Sequence, residues 1–180
     1  TDTIYGLGVN VYSEIAAKKL FQLKKRNMEN PVSILYHNRF SIFRDFPNLN
    51  SYQRNFVNKL LPGPITLLLP LPAETGILPY FRKNGYTGVR FIEHSRMNNI
   101  LKKYNNPIST TSINPSGHEP ANSVNEILQY FAGELDLIIV EEKDRETVPS
   151  TILKVEPNNY NIIREGIVSK DKIETILNRD

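Results

Sequence analysis

The chain has 180 residues, enough for one domain that buries roughly two thirds of its unfolded surface. Its formal net charge of +3 permits an anionic ligand or a nucleic acid without requiring either. The absence of cysteine excludes disulfides, thiolate metal sites and thiol catalysis and favours a reducing compartment, so we expect a cytoplasmic protein. The longest apolar run, 65–71, contains Pro70 and is far shorter than the ~18 residues of a membrane span, so no membrane association is expected.

The first eight residues, Thr1 to Gly8, have no apolar segment before them. We therefore expect an N-terminal strand that precedes Thr1 and leads into the sequence Gly6-Leu7-Gly8. These two glycines lack the third glycine of a dinucleotide-binding loop, and no P-loop lysine follows them. A tight turn is the simplest interpretation of this segment.

The remaining elements are predicted from caps, apolar periodicity and breakers. Ser13 is predicted to cap a helix that ends at the basic residues Lys24–Arg26. Ser123, with Glu126 three residues later, has the pattern of a capping box, and Ser169 is predicted to cap the last helix. Further helices are predicted at 40–46, 51–61, 97–104 and 124–131, and strands at 32–36, 65–69, 87–92, 108–111, 137–140, 150–155 and 161–164.

Helices and strands alternate irregularly along the chain, and segments 72–84 and 141–146 are predicted as loops. No internal repeat, low-complexity segment or domain linker interrupts the sequence. The pattern therefore predicts a single α/β domain over residues 1–180 with a mixed sheet.

Three consecutive cations, Lys24, Lys25 and Arg26, stand between the first helix and the next strand. Basic residues are common in the last turn of a helix, where they complement the helix dipole and are simply solvated. They also suit an anionic ligand at the rim of a sheet, where loops gather ligand groups. Charge alone does not decide between these two interpretations.

The segment 109–117 is rich in small hydroxyl side chains, and Asn114 and Gly117 permit backbone conformations that expose amides. Such a loop suits an anion nest, although a turn that bonds to itself is also common. Arg90 and Arg164 lie in predicted strands, where each suits either a ligand or a surface ion pair. Together these residues describe a cleft suited to phosphate and a small polar ligand.

Covalent catalysis finds no support, because the sequence has neither a cysteine nor a Gly-x-Ser-x-Gly motif. His94 and His118 are candidate bases, but lone histidines more often make structural hydrogen bonds. The histidines stand at no zinc-like spacing, and the acidic run at 141–146 has mixed charge, so no metal site is predicted.

Seven motifs follow one another in a recognisable order. They are Thr1-Asp2-Thr3-Ile4-Tyr5-Gly6-Leu7, Lys24-Lys25-Arg26, Pro62-Gly63-Pro64-Ile65-Thr66, Gly88-Val89-Arg90, Ser112-Ile113-Asn114-Pro115-Ser116-Gly117, Pro149-Ser150-Thr151 and Arg164-Glu165-Gly166. Their order and spacing resemble the YrdC-like family of threonylcarbamoyl-AMP synthases over nearly the whole chain. The resemblance implies an open, twisted α/β sheet with flanking helices around a positively lined cavity.

The resemblance also implies that L-threonine, bicarbonate and ATP become threonylcarbamoyl-AMP and pyrophosphate, with Mg²⁺ on the phosphates. A partner system would then transfer the threonylcarbamoyl group to an adenosine of tRNA. Catalysis would rest on orientation and charge stabilisation rather than on a covalent nucleophile. By position, the resemblance assigns L-threonine to Thr3, Arg90, Thr110 and Ser150, and ATP to Lys24, Arg26, Asn30, Ser112, Asn114 and Arg164.

Three residues depart from the family pattern: Met28, Ile92 where proline is usual, and Ile113 where a small residue is usual. A branched side chain at Ile113 would narrow the nucleotide pocket if it pointed there. We expect it to pack into the core instead, beside Ile108 and Val124. Two other functions remain open, an RNA-binding module that uses the basic residues for phosphates and a non-catalytic accessory or maturation domain that shares the fold.

Overall fold

Residues 1–140 and 148–179, which this computed structural model describes, form seven strands and six α-helices. The strands are β1 (Gly6–Leu7), β2 (Ser33–Tyr36), β3 (Ile65–Pro70), β4 (Tyr86–Phe91), β5 (Ile108–Ser112), β6 (Thr151–Val155) and β7 (Tyr160–Arg164). The helices are α1 (Glu14–Leu23), α2 (Arg39–Asp45), α3 (Ser51–Leu60), α4 (Ser95–Tyr104), α5 (Val124–Phe131) and α6 (Lys170–Leu177).

The strands form one sheet in the order β1-β5-β2-β4-β3-β6-β7. β2 runs parallel to β4, and β3 runs parallel to β6, while the other neighbouring pairs are antiparallel. The predicted α/β class with a mixed sheet is confirmed. No helix within the two described ranges is long and apolar enough to cross a bilayer.

One face of the sheet carries an aliphatic row in register across four central strands. Ile34 lies opposite Val89, and Val89 in turn lies opposite Leu67. Leu67 continues the row to Leu153 on β6. All four side chains are fully buried, so this row forms the centre of the main core. Because side chains alternate along a strand, the residues next to the row point to the other face of the sheet.

Each described α-helix is preceded by a cap residue whose side chain accepts a hydrogen bond from a backbone amide of the first turn. The predicted caps Ser13, Ser123 and Ser169 are confirmed. The capping box predicted at Ser123 is wrong in its second half, because Glu126 Oε2 accepts from the Asn122 amide at 2.7 Å. The reciprocal pattern occurs instead at Asn50 and Gln53 of α3.

The tight turn predicted at Gly6-Leu7-Gly8 is wrong. Gly6–Leu7 form β1 and pair antiparallel with residues 111 and 112 of β5. Gly8 serves a close approach of two backbones, because a Cβ there would collide with the carbonyl oxygen of Ser109. The glycine therefore lets the chain lie against β5 rather than reversing its direction.

The strand predicted at 137–140 is also wrong, because these residues pair with no described strand. Leu137 is 74% exposed, and Ile139 and Val140 also lie at the surface. A short apolar run has the composition of a buried strand but does not specify a partner. The loop predicted at 72–84 contains one 3₁₀ turn, Pro79–Phe81, and the loop predicted at 141–146 lies outside the described residues.

Candidate functional site

A cavity of about 280 Å³ opens on the face of the sheet opposite the aliphatic row. It contains all four residues assigned to L-threonine and three of the six assigned to ATP. None of its described lining residues is acidic. The polar and charged side chains of the lining include Thr3, Arg26, Ser33, Thr66, Arg90, Thr110, Ser112, Ser150 and Arg164.

The register of two central strands explains why this face is polar. Arg90 follows Val89 on β4, and Thr66 precedes Leu67 on β3. Since Val89 and Leu67 belong to the aliphatic row, Arg90 and Thr66 point away from it. The alternation of side chains along each strand therefore places the aliphatic row on one face of the sheet and the polar floor of the cavity on the other.

The floor continues onto β2 and β5 through Ser33 and Thr110, which lie opposite each other. Between them and β3, Gly88 leaves open space. A Cβ at Gly88 would lie 2.5 Å from Ser33 Oγ and 3.2 Å from Thr66 Cγ2. Any side chain at this position would therefore fill the floor of the cavity.

Arg90 is a buried cation at this floor, with only 6% of its surface exposed. Its Nη2 donates to Asp2 Oδ1 at 2.6 Å. Burial lowers the pKa of the Arg90 guanidinium, while the charge and hydrogen bond of Asp2 oppose that shift. An arginine remains protonated even when buried, so its charge is available to an anionic ligand in the cavity.

Ser150 lies immediately before β6 and is tied to two neighbours. Its Oγ lies 2.9 Å from Thr66 Oγ1, and its carbonyl accepts from Arg164 Nη2 at 2.7 Å. Burial and the positive charge of Arg90 both lower the pKa of Arg164. The two guanidinium groups therefore repel each other, and an anion bound between them would relieve that repulsion.

Arg26 brings a third guanidinium to the cavity. Its Nε donates to the Asn30 carbonyl at 2.6 Å, and its Nη2 donates to the Pro31 carbonyl at 3.2 Å. Burial lowers the pKa of Arg26. These backbone contacts fix the guanidinium just before β2, where it suits two-point recognition of phosphate or carboxylate.

The three consecutive cations occupy three different environments. Lys24 is only 1% exposed, and its Nζ donates to Ser112 O at 2.5 Å, to Asn114 O at 2.7 Å and to Asn114 Oδ1 at 3.4 Å. Lys25 is exposed and adopts the left-handed conformation, with φ 48°. Arg26 alone of the three lines the cavity. The cluster thus divides into a loop anchor, a solvated residue and a candidate ligand contact.

Lys24, Asn30 and Asn114 do not line the cavity, although the resemblance assigns them to ATP. Asn30 is exposed, and its Oδ1 accepts from Lys83 Nζ at 3.3 Å. Asn114 is buried, and its Nδ2 donates to the His118 carbonyl at 2.7 Å. Contact of these three residues with ATP stays a prediction.

The loop after β5 is bonded largely to the protein itself. The backbone amides of residues 114, 116 and 118 all donate to protein carbonyl oxygens. The amides of 114 and 118 bond within this segment and the amide of 116 bonds to the Lys24 carbonyl, so none of these three is left for the anion nest proposed for 109–117. The histidines considered as bases have structural contacts, since His94 caps α4 and His118 packs edge-on against Tyr130.

A second groove is larger, at about 530 Å³, and lies between β1, β5, α1 and α4. Leu20, Leu23, Met97 and Ile108 are among its mainly aliphatic walls. Its lining also includes two cations, Lys19 and Arg96, and two carboxylates, Glu134 and Asp136, but none of the three arginines that converge on the smaller cavity. A triphosphate or an amino-acid carboxylate is bound best where several cations converge without competing carboxylates. The smaller, polar cavity is therefore the candidate site.

Sequence reasoning did not single out Asp2, Ser33 and Thr66. Asp2 and Thr66 stand inside two of the recognised motifs, but composition gave neither of them a separate role. Ser33 could have been found from strand alternation, because it directly precedes the buried Ile34 and must face the opposite side.

A metal site built from protein side chains is not evident in the described residues, where no three His, Asp or Glu groups are arranged to hold an ion. Mg²⁺ prefers carboxylate and phosphate oxygens, and the described cavity lining has no carboxylate. The lining therefore does not fit a protein-held Mg²⁺, although its arginines fit phosphate.

Comparison with known sequences places these observations in a family. Residues 1–166 match the Sua5/YciO/YrdC family model, whose description is "Telomere recombination". A protein of Methanocaldococcus jannaschii is 31% identical over 173 residues, which cover 96% of this chain and 80% of that protein. The threonylcarbamoyl-AMP synthase of Cellvibrio japonicus is 31% identical over 154 residues, which cover 84% of this chain and 80% of that enzyme.

Solved structures agree with this placement. The crystal structure of Pyrococcus abyssi Sua5 with L-threonine matches with a TM-score of 0.89 and 25% identity over 99% of this chain. The chain spans about half the length of that protein, 52%. E. coli YciO shares the fold at a TM-score of 0.75 and 20% identity, over 93% of this chain and 81% of YciO. The chain belongs to the Sua5/YciO/YrdC family.

Proposed function

We propose that this chain is an L-threonylcarbamoyladenylate synthase, a nucleotidyltransferase that makes threonylcarbamoyl-AMP and pyrophosphate from L-threonine, bicarbonate and ATP. Relatives named threonylcarbamoyl-AMP synthase support the proposal, as does the similar P. abyssi protein that binds L-threonine. One observation of this chain carries it: three arginines and a group of serine and threonine side chains converge on one cavity without a described carboxylate in the lining.

L-threonine suits the part of the cavity formed by Thr3, Arg90, Thr110 and Ser150. All four residues are at least nine-tenths buried. The planar guanidinium of Arg90 matches a carboxylate in two-point geometry. The short hydroxyl side chains can hydrogen-bond a small polar ligand but cannot span a triphosphate.

ATP suits the part formed by Arg26, Ser112 and Arg164. The cavity volume of about 280 Å³ lies just below the roughly 300–1,000 Å³ of most ligand pockets. We therefore expect the reacting phosphates inside the cavity and the nucleoside part of ATP outside it.

Lys24, Asn30 and Asn114 support the nucleotide side in this proposal through the backbone that they hold. Lys24 and Asn114 are bonded to each other and to the loop that follows Ser112. The Asn30 carbonyl accepts a hydrogen bond from Arg26 Nε. Of the three side chains, only that of the exposed Asn30 is accessible to a nucleoside part that extends beyond the cavity, since Lys24 and Asn114 are buried.

The reaction divides into two steps. The amine of L-threonine attacks the carbon of bicarbonate, and water leaves to give a carbamate. A carbamate oxygen then attacks the α-phosphorus of ATP, and the bond to the bridging oxygen of the β-phosphate breaks to release pyrophosphate. Both steps bring anionic groups together, so fixed guanidinium groups would favour them by position and by charge.

Mg²⁺ would come with ATP rather than from a protein site and would offset part of the phosphate charge, since the described lining supplies no carboxylate to hold it. The product then passes to a partner system that modifies tRNA. Since ATP and tRNA are both available in the cytoplasm, we assign the protein to that compartment.

The proposal is tested by measuring pyrophosphate release and threonylcarbamoyl-AMP formation in parallel. Release should require ATP, L-threonine and bicarbonate together, and the two products should appear in equal amounts. Arg44→Ala should keep the wild-type rate, because the Arg44 side chain is 52% exposed and lies outside the cavity lining.

Two outcomes would overturn the synthase proposal. A folded protein that binds ATP and L-threonine but releases no pyrophosphate would support a non-catalytic accessory domain. RNA binding that falls steeply with salt, without competition from ATP or L-threonine and without pyrophosphate release, would support an RNA-binding module.

A further inference from the structure

Asp2 makes the ion pair that distinguishes Arg90 from the other cavity arginines. Among the described ion pairs, Arg90 has an acidic partner, whereas Arg26 and Arg164 have none. The Asp2 and Arg90 side chains are only 12% and 8% exposed. A buried carboxylate is costly unless it is paired, so this contact is strongly constrained.

The pair makes one of the two hydrogen bonds that its geometry allows. Arg90 Nη2 donates to Asp2 Oδ1 at 2.6 Å, while Arg90 Nε and Asp2 Oδ2 are buried without a partner. Nε and Nη2 form one edge of a guanidinium, and the two carboxylate oxygens match that edge. The two unpaired atoms are thus the remaining half of the same two-point contact.

Asp2 approaches Arg90 from outside the cavity lining. Its neighbours Thr1 and Thr3 are lining residues, whereas Asp2 is not. The carboxylate therefore bonds the guanidinium at Nη2, on its Nε–Nη2 edge, and does not itself line the cavity. The edge that contains Nη1 remains for a ligand.

We propose that Asp2 is a positioning residue that orients Arg90 toward the carboxylate of the amino-acid substrate without touching that substrate. This inference rests on the proposed function, since it takes L-threonine as the ligand of Arg90. Asp2 also neutralises one of three converging cations, which reduces the repulsion between Arg90 and Arg164. An uncharged residue at Asp2 would leave the Arg90 fork free to turn toward solvent or phosphate.

The test compares Asp2→Asn and Asp2→Glu by calorimetric binding of L-threonine and of ATP, with thermal unfolding of each variant. Asp2→Asn keeps the size of the side chain but removes its charge, so we expect at least a tenfold loss of L-threonine affinity and an ATP affinity within twofold of wild type. Asp2→Glu retains the carboxylate and should recover most of the L-threonine affinity. Asp45→Asn removes a carboxylate from the Arg44 ion pair outside the cavity and should change neither affinity.

A merely structural role predicts a different result. It would lower the melting temperature of Asp2→Asn and weaken the binding of ATP and of L-threonine by similar factors. That result would overturn the inference. Unchanged L-threonine affinity in Asp2→Asn overturns it as well.

The binding readout separates this inference from the proposed reaction. A wild-type protein that binds L-threonine but releases no pyrophosphate refutes the reaction, and the Asp2 comparison still decides the positioning role. A wild-type protein that does not bind L-threonine refutes both.

Discussion

The side chain of Ile113, the first residue after β5, packs in the main core. Only 4% of its surface is exposed, and it does not line the cavity. The sequence predicted this core orientation, and the structure confirms it, but the expected neighbours are not confirmed, because Ile108 packs against a separate hydrophobic cluster and Val124 belongs to neither cluster. The departure from the usual small residue therefore adds core packing without filling the candidate site.

Ile113→Ala should lower the free energy of unfolding by roughly 2–5 kcal/mol, because it leaves a cavity in a packed core. ATP affinity should stay at the wild-type value, because the side chain does not face the site. Chemical denaturation measures the first effect, and calorimetric titration with ATP measures the second.

Ile15→Ala is a matched control for this change, because Ile15 is 85% exposed on α1 and should lose little stability. A variant at Ile113 that bound ATP tenfold more tightly, a gain of about 1.4 kcal/mol, would contradict the assignment. It would show that isoleucine partly closes the nucleotide site.

At the scale of elements, the C-terminal end of α1 is tied to the loop after β5 by Lys24. The Lys24 ammonium has three donors, and the loop offers three acceptors, two backbone carbonyls and the Asn114 side chain. The Lys24 carbonyl in turn accepts from the Ser116 amide at 2.7 Å. The helix end and the loop are therefore held together in both directions.

Burial and the neighbouring charge of Arg26 lower the pKa of Lys24 from 10.5 to about 8. Between these two values the unfolded chain binds a proton that the folded chain has released, so stability should rise with pH. Relative to Lys24→Met, the wild-type free energy of unfolding should increase between pH 8 and 10.5 by up to about 1.4 kcal/mol per unit. Denaturation series at several pH values measure this difference.

Lys25→Met provides the control for Lys24, because the exposed Lys25 should show no such slope against wild type. Subtracting the unfolding free energy of each variant from that of wild type cancels the contributions from titration of the tyrosines and the chain termini, which all the proteins share. A flat or falling difference for Lys24 would show that its three acceptors keep it fully charged throughout the range.

Most helices and strands were predicted, and the two segments that were assigned wrongly, Gly6-Leu7-Gly8 and 137–140, depend on distant partners. A cap such as Ser13 is set by an amide three residues away, so the sequence contains the information. The apolar run 137–140 lacks any such local requirement, and its composition could not show that no described strand pairs with it. The role of Gly8 was predicted wrongly because the group that requires a glycine there, the carbonyl of Ser109, lies about a hundred residues away in the sequence.

At the scale of the whole molecule, the cavity joins Thr3 near one end of the chain to Arg164 near the other. Strand order and register bring these distant residues together, and neither can be deduced from the spacing of the residues in the sequence. The family resemblance supplied the candidates, and seven of them line the cavity. It could not show that Lys24 and Asn114 bond to each other and to their loop, since a motif records residue types and not their contacts.

The cavity should accept its two substrates through separable contacts. Arg26→Ala should weaken ATP binding by about 1.5–3 kcal/mol, the range for hydrogen bonds to charged groups, and leave L-threonine affinity near wild type. Ser150→Ala should weaken the binding of L-threonine and leave the affinity for ATP nearly intact, because the short hydroxyl of Ser150 cannot reach a triphosphate.

Calorimetry measures both affinities on the two single variants, on the double variant and on Arg44→Ala as the control. If the two effects are independent, they should add in the double variant within about 0.5 kcal/mol. Equal losses of ATP affinity in Arg26→Ala and Ser150→Ala would show that the ligands share the same contacts and that the division of the cavity is wrong.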